Sequence, residues 1–196
     1  MKRILKSTIV FLCVLFFAIP AHALSEKFTP VNQVENSLTI AVVNTNNATI
    51  NSAEQQQKID EEAIREILLG KWRNLWSTGD KKFTFQGYEK VFLDNEDFMA
   101  TDSLSPSATL VKGWKAYSEL WEPYTNQHLH PWTITRLEVN KISVAGDMAW
   151  SSVNLYGEGI LDGENYLGSE HCTHVWRKID GQWRIVHEHV SGPIYL

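Results

Sequence analysis

Only two cysteines occur in the 196 residues, Cys13 and Cys172. Cys13 lies in an N-terminal segment that reads as a cleavable signal, so the mature chain keeps Cys172 alone and no intrachain disulfide can form, even in an oxidising compartment. Long runs of Lys or Arg are also missing, and the formal net charge is −5. Loss of Lys2, Arg3 and Lys6 with the signal makes it more acidic still, which argues against nucleic acid or anionic lipid as a partner. The one apolar run, Ile9 to Pro20, falls short of the roughly 20 residues a membrane span needs. No internal repeat is visible, so a solenoid is excluded. Without disulfides the core must supply the stability, and the material is there: eight tryptophans, all after residue 70.

The chain opens Met1-Lys2-Arg3-Ile4-Leu5-Lys6. A basic start, a short apolar middle and the small residues of Ala21-His22-Ala23 predict a secretory signal over 1–23, cleaved after Ala23. The mature protein is therefore expected outside the cytoplasm, periplasmic or secreted, with no membrane partner. Residues 24–56 are rich in Asn, Thr, Ser and Gln and keep no helical period, which predicts a low-complexity tether. Within it, Leu38 to Val43 has the composition of an edge strand.

Residues 57–196 form the expected domain. Ile59, Ile64, Leu68, Trp72, Leu75 and Trp76 recur at three- and four-residue intervals, predicting a long amphipathic helix that ends at Ser77-Thr78-Gly79-Asp80. Shorter helices are expected over Tyr88 to Leu93 and over Trp114 to Trp121, the latter stopped by Pro123. Strands follow: Trp132 to Val144, Met148 to Tyr156, a loop through Gly157-Glu158-Gly159 and Asp162-Gly163, then Tyr166 to Lys178 and Gln182 to Ser191. Asp180-Gly181 supplies the positive φ of a tight hairpin turn between the last two. Helices first and an antiparallel meander second predict a single α+β domain whose sheet curls around the leading helix.

Thr173-His174-Val175-Trp176, Asp180-Gly181-Gln182-Trp183 and Val186-His187-Glu188-His189-Val190-Ser191-Gly192-Pro193, in this order of elements, resemble the NTF2-like superfamily. Within it the chain is similar to SnoaL-like domains and to the association (hub) domain of calcium/calmodulin-dependent protein kinase II. The resemblance implies a cone-shaped, cystatin-like α+β barrel, a curved antiparallel sheet wrapped around a long N-terminal helix over a deep pocket, paired into dimers or larger rings. Function varies across that scaffold, from cyclases, isomerases and dehydratases to assembly hubs. The hub's basic anchors are absent: His174 and Val190 stand where two of its arginines fall, and Tyr156 where a third falls by ungapped counting.

In the hub's register, Val186, Glu188 and Val190 point inward, as do Cys172, His174 and Trp176, while Trp183, Ile185, His187 and His189 make an outer face too apolar to be left in water. Glu188 and His174 are then the polar pair of an aromatic cavity and the candidate acid–base couple. Trp72, Trp76, Tyr117, Trp121, Trp132, Trp150 and Trp176 are candidate walls, with Val190, and with Asn154 and Tyr156 as orienting polar groups. The His187/His189 and His128/His130 pairs suggest a metal, but no Asp or Glu sits at a spacing that completes a ligand set, so no metal and no cofactor is expected. Cys172 reads as a small buried hydrophobe. The leading expectation is an exported, at least dimeric domain that binds a small, mainly apolar organic molecule. An acid–base enzyme using Glu188 and His174, of the ketosteroid-isomerase or SnoaL type, is the alternative, and a pure oligomerisation module the third.

Overall fold

A computed structural model describes residues 52–107 and 110–192. The expected signal peptide, most of the expected tether and the Leu38–Val43 strand lie outside the described residues.

The leading helix, α1, covers residues 52–76 and is already formed ahead of the expected domain start at 57. Its buried stripe is Asp60, Ile64, Leu68 and Trp72, continued by the half-buried Trp76. Ile59, expected on that stripe, is 55% exposed. A strict four-residue spacing overshoots a 3.6-residue turn. The helix meets it by widening to π-helical geometry over Ile67–Trp72, which keeps Trp72 and Trp76 facing the sheet. Asp60 anchors the start of the stripe by accepting from Lys178 Nζ (2.7 Å), Trp183 Nε1 (3.0 Å) and Gln56 Nε2 (3.1 Å). Burial works against its charge, but those three donors outweigh it and hold its carboxyl below the usual range. After Ser77 the chain docks on the sheet, where Gly79 N–H donates to the Trp132 carbonyl at 2.8 Å.

A single 3₁₀ turn, Tyr88–Lys90, replaces the expected helix to Leu93. Two short strands missed by the sequence reading follow, β1 (Met99–Asp102) and β2 (Leu110–Lys112). The second α-helix, α2, runs Trp114–His128, straight through Pro123. Proline removes one internal hydrogen bond there, but Tyr117, Trp121 and Thr125 are buried along one side on both flanks of it. Asn126 also clasps the Phe83 backbone, accepting from its N–H and donating to its carbonyl, both at 2.9 Å. Packing overrides the local stop.

The four long strands are β3 (Leu129–Ala145), β4 (Met148–Leu161), β5 (Glu164–Ile179) and β6 (Gln182–Ser191), and the six-stranded sheet has the order β2-β1-β6-β5-β4-β3. All pairings are antiparallel except β1 with β6, which is parallel. Register shifts near Thr135 and Asn140 bulge β3 and curl the sheet. The expected loop at Gly157-Glu158-Gly159 is strand. Its glycines serve close approach rather than a turn: a Cβ on Gly157 would come within 2.3 Å of the Trp132 ring, and one on the paired Gly168 within 2.8 Å. The Trp132 indole lies on a seat made by two glycines.

One irregularity resets the last strand. His187 pairs with Val175 but Ile185 pairs with Trp176, so Val186 is an extra residue, a β-bulge. Side chains alternate strictly on either side of it, so the inward set changes parity within β6. Trp183 (3% exposed) and Ile185 (0%) are core, not outer face, and Glu188 and Val190 take over as the inward pair. Val186 itself is only half-buried, not inward-facing as expected.

Candidate functional site

Between the curled sheet and the two helices lies a cavity of about 180 Å³. Trp72 and Trp76 enter from α1; Tyr117, Trp121, Tyr124 and Thr125 from α2; Trp132 and Ile134 from β3; Leu155, Cys172, Glu188 and Val190 from the sheet floor. The half-buried Leu129, Leu161 and Tyr166 stand at its rim. Asp102, at the end of β1, and Glu170, on β5, complete the polar lining.

Four expected pocket residues are elsewhere. Trp150 (44% exposed), Asn154 and Tyr156 project from the opposite face of β4. Asn154 accepts there from Asn140 Nδ2 (3.0 Å) and is 2.8 Å from His171 Nδ1, and the Arg136 guanidinium lies 3.8 Å over the Tyr156 ring. The inward residues of β4 are instead Ala149, Ser151, Val153, Leu155 and Gly157. Small residues are needed there because the neighbouring strands send in Trp132, His174 and Trp176. Trp176 is fully buried in the core and does not line the cavity.

Glu188 and His174 do meet, in a network set behind the cavity. Trp176 Nε1 donates to Ser151 Oγ at 2.9 Å, and that hydroxyl is 3.2 Å from His174 Nδ1. Nε2 stands 3.2 Å from Glu188 Oε2, yet the ring is turned too far for a hydrogen bond and Nε2 has no such partner. Glu188 is held instead by Tyr117 O–H on Oε1 (2.6 Å) and Trp72 Nε1–H on Oε2 (3.3 Å). Burial, and then the charge of Glu188, push the Tyr117 hydroxyl well above its ordinary range, so it stays a donor. His174 is 0% exposed and is not part of the cavity wall.

Asp102 and Glu170 are the site residues the sequence reading missed. Asp102 is 6% exposed, and its Oδ1 accepts from the Leu104 N–H at 2.7 Å. Burial, with the nearby Glu188 charge, raises its pKa to about 7. Burial, then Asp102 and Glu188, raise Glu170 to about 8. The signal for Glu170 was present: it shares the β5 face of Cys172 and His174 at two-residue spacing. Asp102 had none, because its strand is four residues long and takes its register from a parallel pairing with β6.

Cys172 is fully buried in the cavity floor, and burial followed by the Glu170 charge pushes its thiol well above the ordinary value. His187 is half-buried, and burial and then His189 lower its pKa; His189 is exposed, and His128 pairs with Asp162 at 2.6 Å. Among the described residues no group of three or more His, Cys, Asp or Glu side chains is arranged to hold a metal ion.

The profile of the SnoaL-like domain matches residues 69–195. No curated protein matches the chain. Among solved structures, the chain is similar to an NTF2-like superfamily protein from Salmonella enterica serovar Typhimurium, with 24% identity, a TM-score of 0.54, and coverage of 67% of this chain and 91% of that one. It is also similar to an NTF2-like protein of unknown function from Pseudomonas putida, with 26% identity, a TM-score of 0.53, and coverage of 71% and 90%. A third likeness is to the association domain of C. elegans CaMKII, with 16% identity, a TM-score of 0.49, and coverage of 70% and 98%. With a six-stranded curled sheet over a leading helix and a family match across most of its length, the chain belongs to the SnoaL-like domain family and has the NTF2-like, cystatin-like fold.

Proposed function

We propose that this chain is an exported domain that binds one small, compact organic molecule. The observation that carries the reading is the aromatic cavity of about 180 Å³ between the sheet and the helices α1 and α2. An engineered apolar cavity of about 150 Å³ holds benzene, which sets the scale: one ring with a short substituent. Mass spectrometry of molecules released from the natively purified protein should find such a compound in stoichiometric amount. Empty protein that also gains no thermal stability from a panel of single-ring compounds would overturn the reading.

Export is supported by the 1–23 segment. The protein recovered from outside the cytoplasm should begin at Leu24, and a chain retaining Met1 would contradict it. Association with a second copy is supported by one cross-strand row on the outer sheet face. Trp150, Val175, His187 and Met99 lie side by side across β4, β5, β6 and β1, and Trp150 and Met99 are 44% and 40% exposed. Light scattering at micromolar concentration should give a mass above one subunit; a clean monomer would contradict it.

An acid–base enzyme is the second reading, favoured by the 3.2 Å approach of His174 Nε2 to Glu188 Oε2. Glu188→Gln should then abolish turnover of any substrate found, and full activity in that variant removes the carboxylate from the mechanism.

A further inference from the structure

We propose that the cavity selects an organic cation, a single ring or short alkyl group bearing one ammonium, with its charge beside the Asp102 and Glu170 carboxyls and its apolar part against the tryptophans. The inference rests on the reading of the cavity as a small-molecule site and names the chemistry of the occupant.

Charge inventory comes first. Three carboxyls line the cavity, Asp102, Glu170 and Glu188, and no Lys, Arg or His does. Glu188 is answered by protein, since Tyr117 and Trp72 donate to its two oxygens. Asp102 and Glu170 meet no cationic side chain among the residues lining the cavity; Asp102 is more than nine-tenths buried, and its Oδ1 accepts from the Leu104 N–H, a neutral donor. Carboxyls buried on a cavity without a positive charge favour a cation as its occupant.

The strand registers put Glu170 close by. Asp102 pairs with Val190 and Val190 with Cys172, while Glu170 lies two residues before Cys172 on the same face. The two carboxyls therefore lie on either side of β6, Asp102 beside Val190 and Glu170 beside Gly192. An anionic ligand would add negative charge to this group, and a neutral one would leave it uncompensated. An ammonium supplies the missing sign, and the Trp76, Trp121 and Trp132 rings add the attraction of aromatic faces for a cation.

Proton linkage gives an independent readout. The titratable groups facing the two carboxyls are Glu188 on β6, Cys172 and Tyr166 on β5, and Tyr117 and Tyr124 on α2. None of them brings a positive charge. Asp102 at about 7 and Glu170 at about 8 are partly protonated near neutrality, and a bound cation favours their ionised forms. Cation binding should release protons and tighten as pH rises from 6 to 8.5.

The test titrates the mature protein by calorimetry with benzylamine, benzyl alcohol and benzoate, probes of one size and three charges. At pH 8 benzylamine should bind at least about tenfold more tightly than benzyl alcohol, a difference of about 1.4 kcal/mol, and benzoate should not bind. Benzylamine heats in buffers of different ionisation enthalpy should show proton release at pH 7.5. Asp102→Asn and Glu170→Gln should each cut the preference for benzylamine over benzyl alcohol. If either variant fails to fold, the three-probe comparison on the unaltered protein still decides. Equal or tighter binding of benzyl alcohol overturns the cation inference while the cavity reading stands. Failure of all three probes to bind overturns both.

Discussion

The two ends of the interior handle polar groups in opposite ways. At the closed end, Trp176, Ser151 and His174 form one buried string of polar contacts and Tyr117, Trp72 and Glu188 another, in which two direct hydrogen bonds meet the Glu188 carboxyl, with His174 Nε2 between them 3.2 Å from Glu188 Oε2. At the open end, Asp102 and Glu170 face the cavity with their carboxyls pushed to about 7 and 8. Buried polar groups that find partners within the protein fix a structure, and those that do not are available to something else. Under the proposed function the first end holds the structure together and the second binds, although the sequence reading gave the chemistry to the first.

The largest effect expected from this contrast is at Glu188. Glu188→Leu strands the Tyr117 hydroxyl and the Trp72 N–H in the core, and should cost about 3–5 kcal/mol in urea unfolding. A loss below about 1 kcal/mol would show that the closed end is not cohesive and would break the comparison.

Gly157→Ala comes next. Its methyl group would meet the Trp132 ring at 2.3 Å and the Thr133 carbonyl at 2.8 Å, so the indole must leave its seat. The expected cost is roughly 1–3 kcal/mol together with weaker ligand binding, because Trp132 is a cavity wall. Unchanged stability and binding would mean that the open end is not shaped by this packing.

The pH dependence separates the raised carboxyls from Asp60 by sign. Folded-state values of about 7 for Asp102 and 8 for Glu170 lie above the unfolded value of about 4, so the folded protein holds protons that the unfolded chain gives up. Their contribution is complete below about pH 4 and is lost as pH rises through 7 to 8. Stability should therefore fall between pH 5 and 8, and Asp102→Asn with Glu170→Gln should flatten that fall. Asp60 runs the other way: its lowered carboxyl stabilises above the unfolded value and loses that contribution as acid protonates it. A wild-type profile rising from pH 5 to 8 would remove the raised carboxyls from the account.

Smallest of all is Trp150→Glu on the outer face, expected to change stability by less than about 0.5 kcal/mol while lowering the mass seen by light scattering.

Legibility followed how local the determinants were. The long helix, the four long strands and the Asp180-Gly181 turn announce themselves by period and turn chemistry, and the structure has them within a few residues. Pro123 misled because the stop signal is local, whereas the burial of Tyr117, Trp121 and Thr125 that overrides it is tertiary. The inward face of β4 misled for a related reason. Aromatic residues attract an interior assignment, but Ser151 and Gly157 are inside because Trp176 and Trp132 occupy the space beside them. Glu188 was placed correctly by register; its partners were not readable, since Trp72 and Tyr117 come from helices far away in sequence. Asp102 required knowing that a four-residue strand joins β6 in parallel, which no pattern in the chain announces.

The extra residue at Val186 lets one strand serve two masters. Upstream of it Trp183 and Ile185 plug the base beneath the leading helix, and downstream Glu188 and Val190 dress the chamber. Deleting that single position would force a choice, turning either the plug or the dressing out toward water. A one-residue insertion thus couples the solid half of the domain to its hollow half.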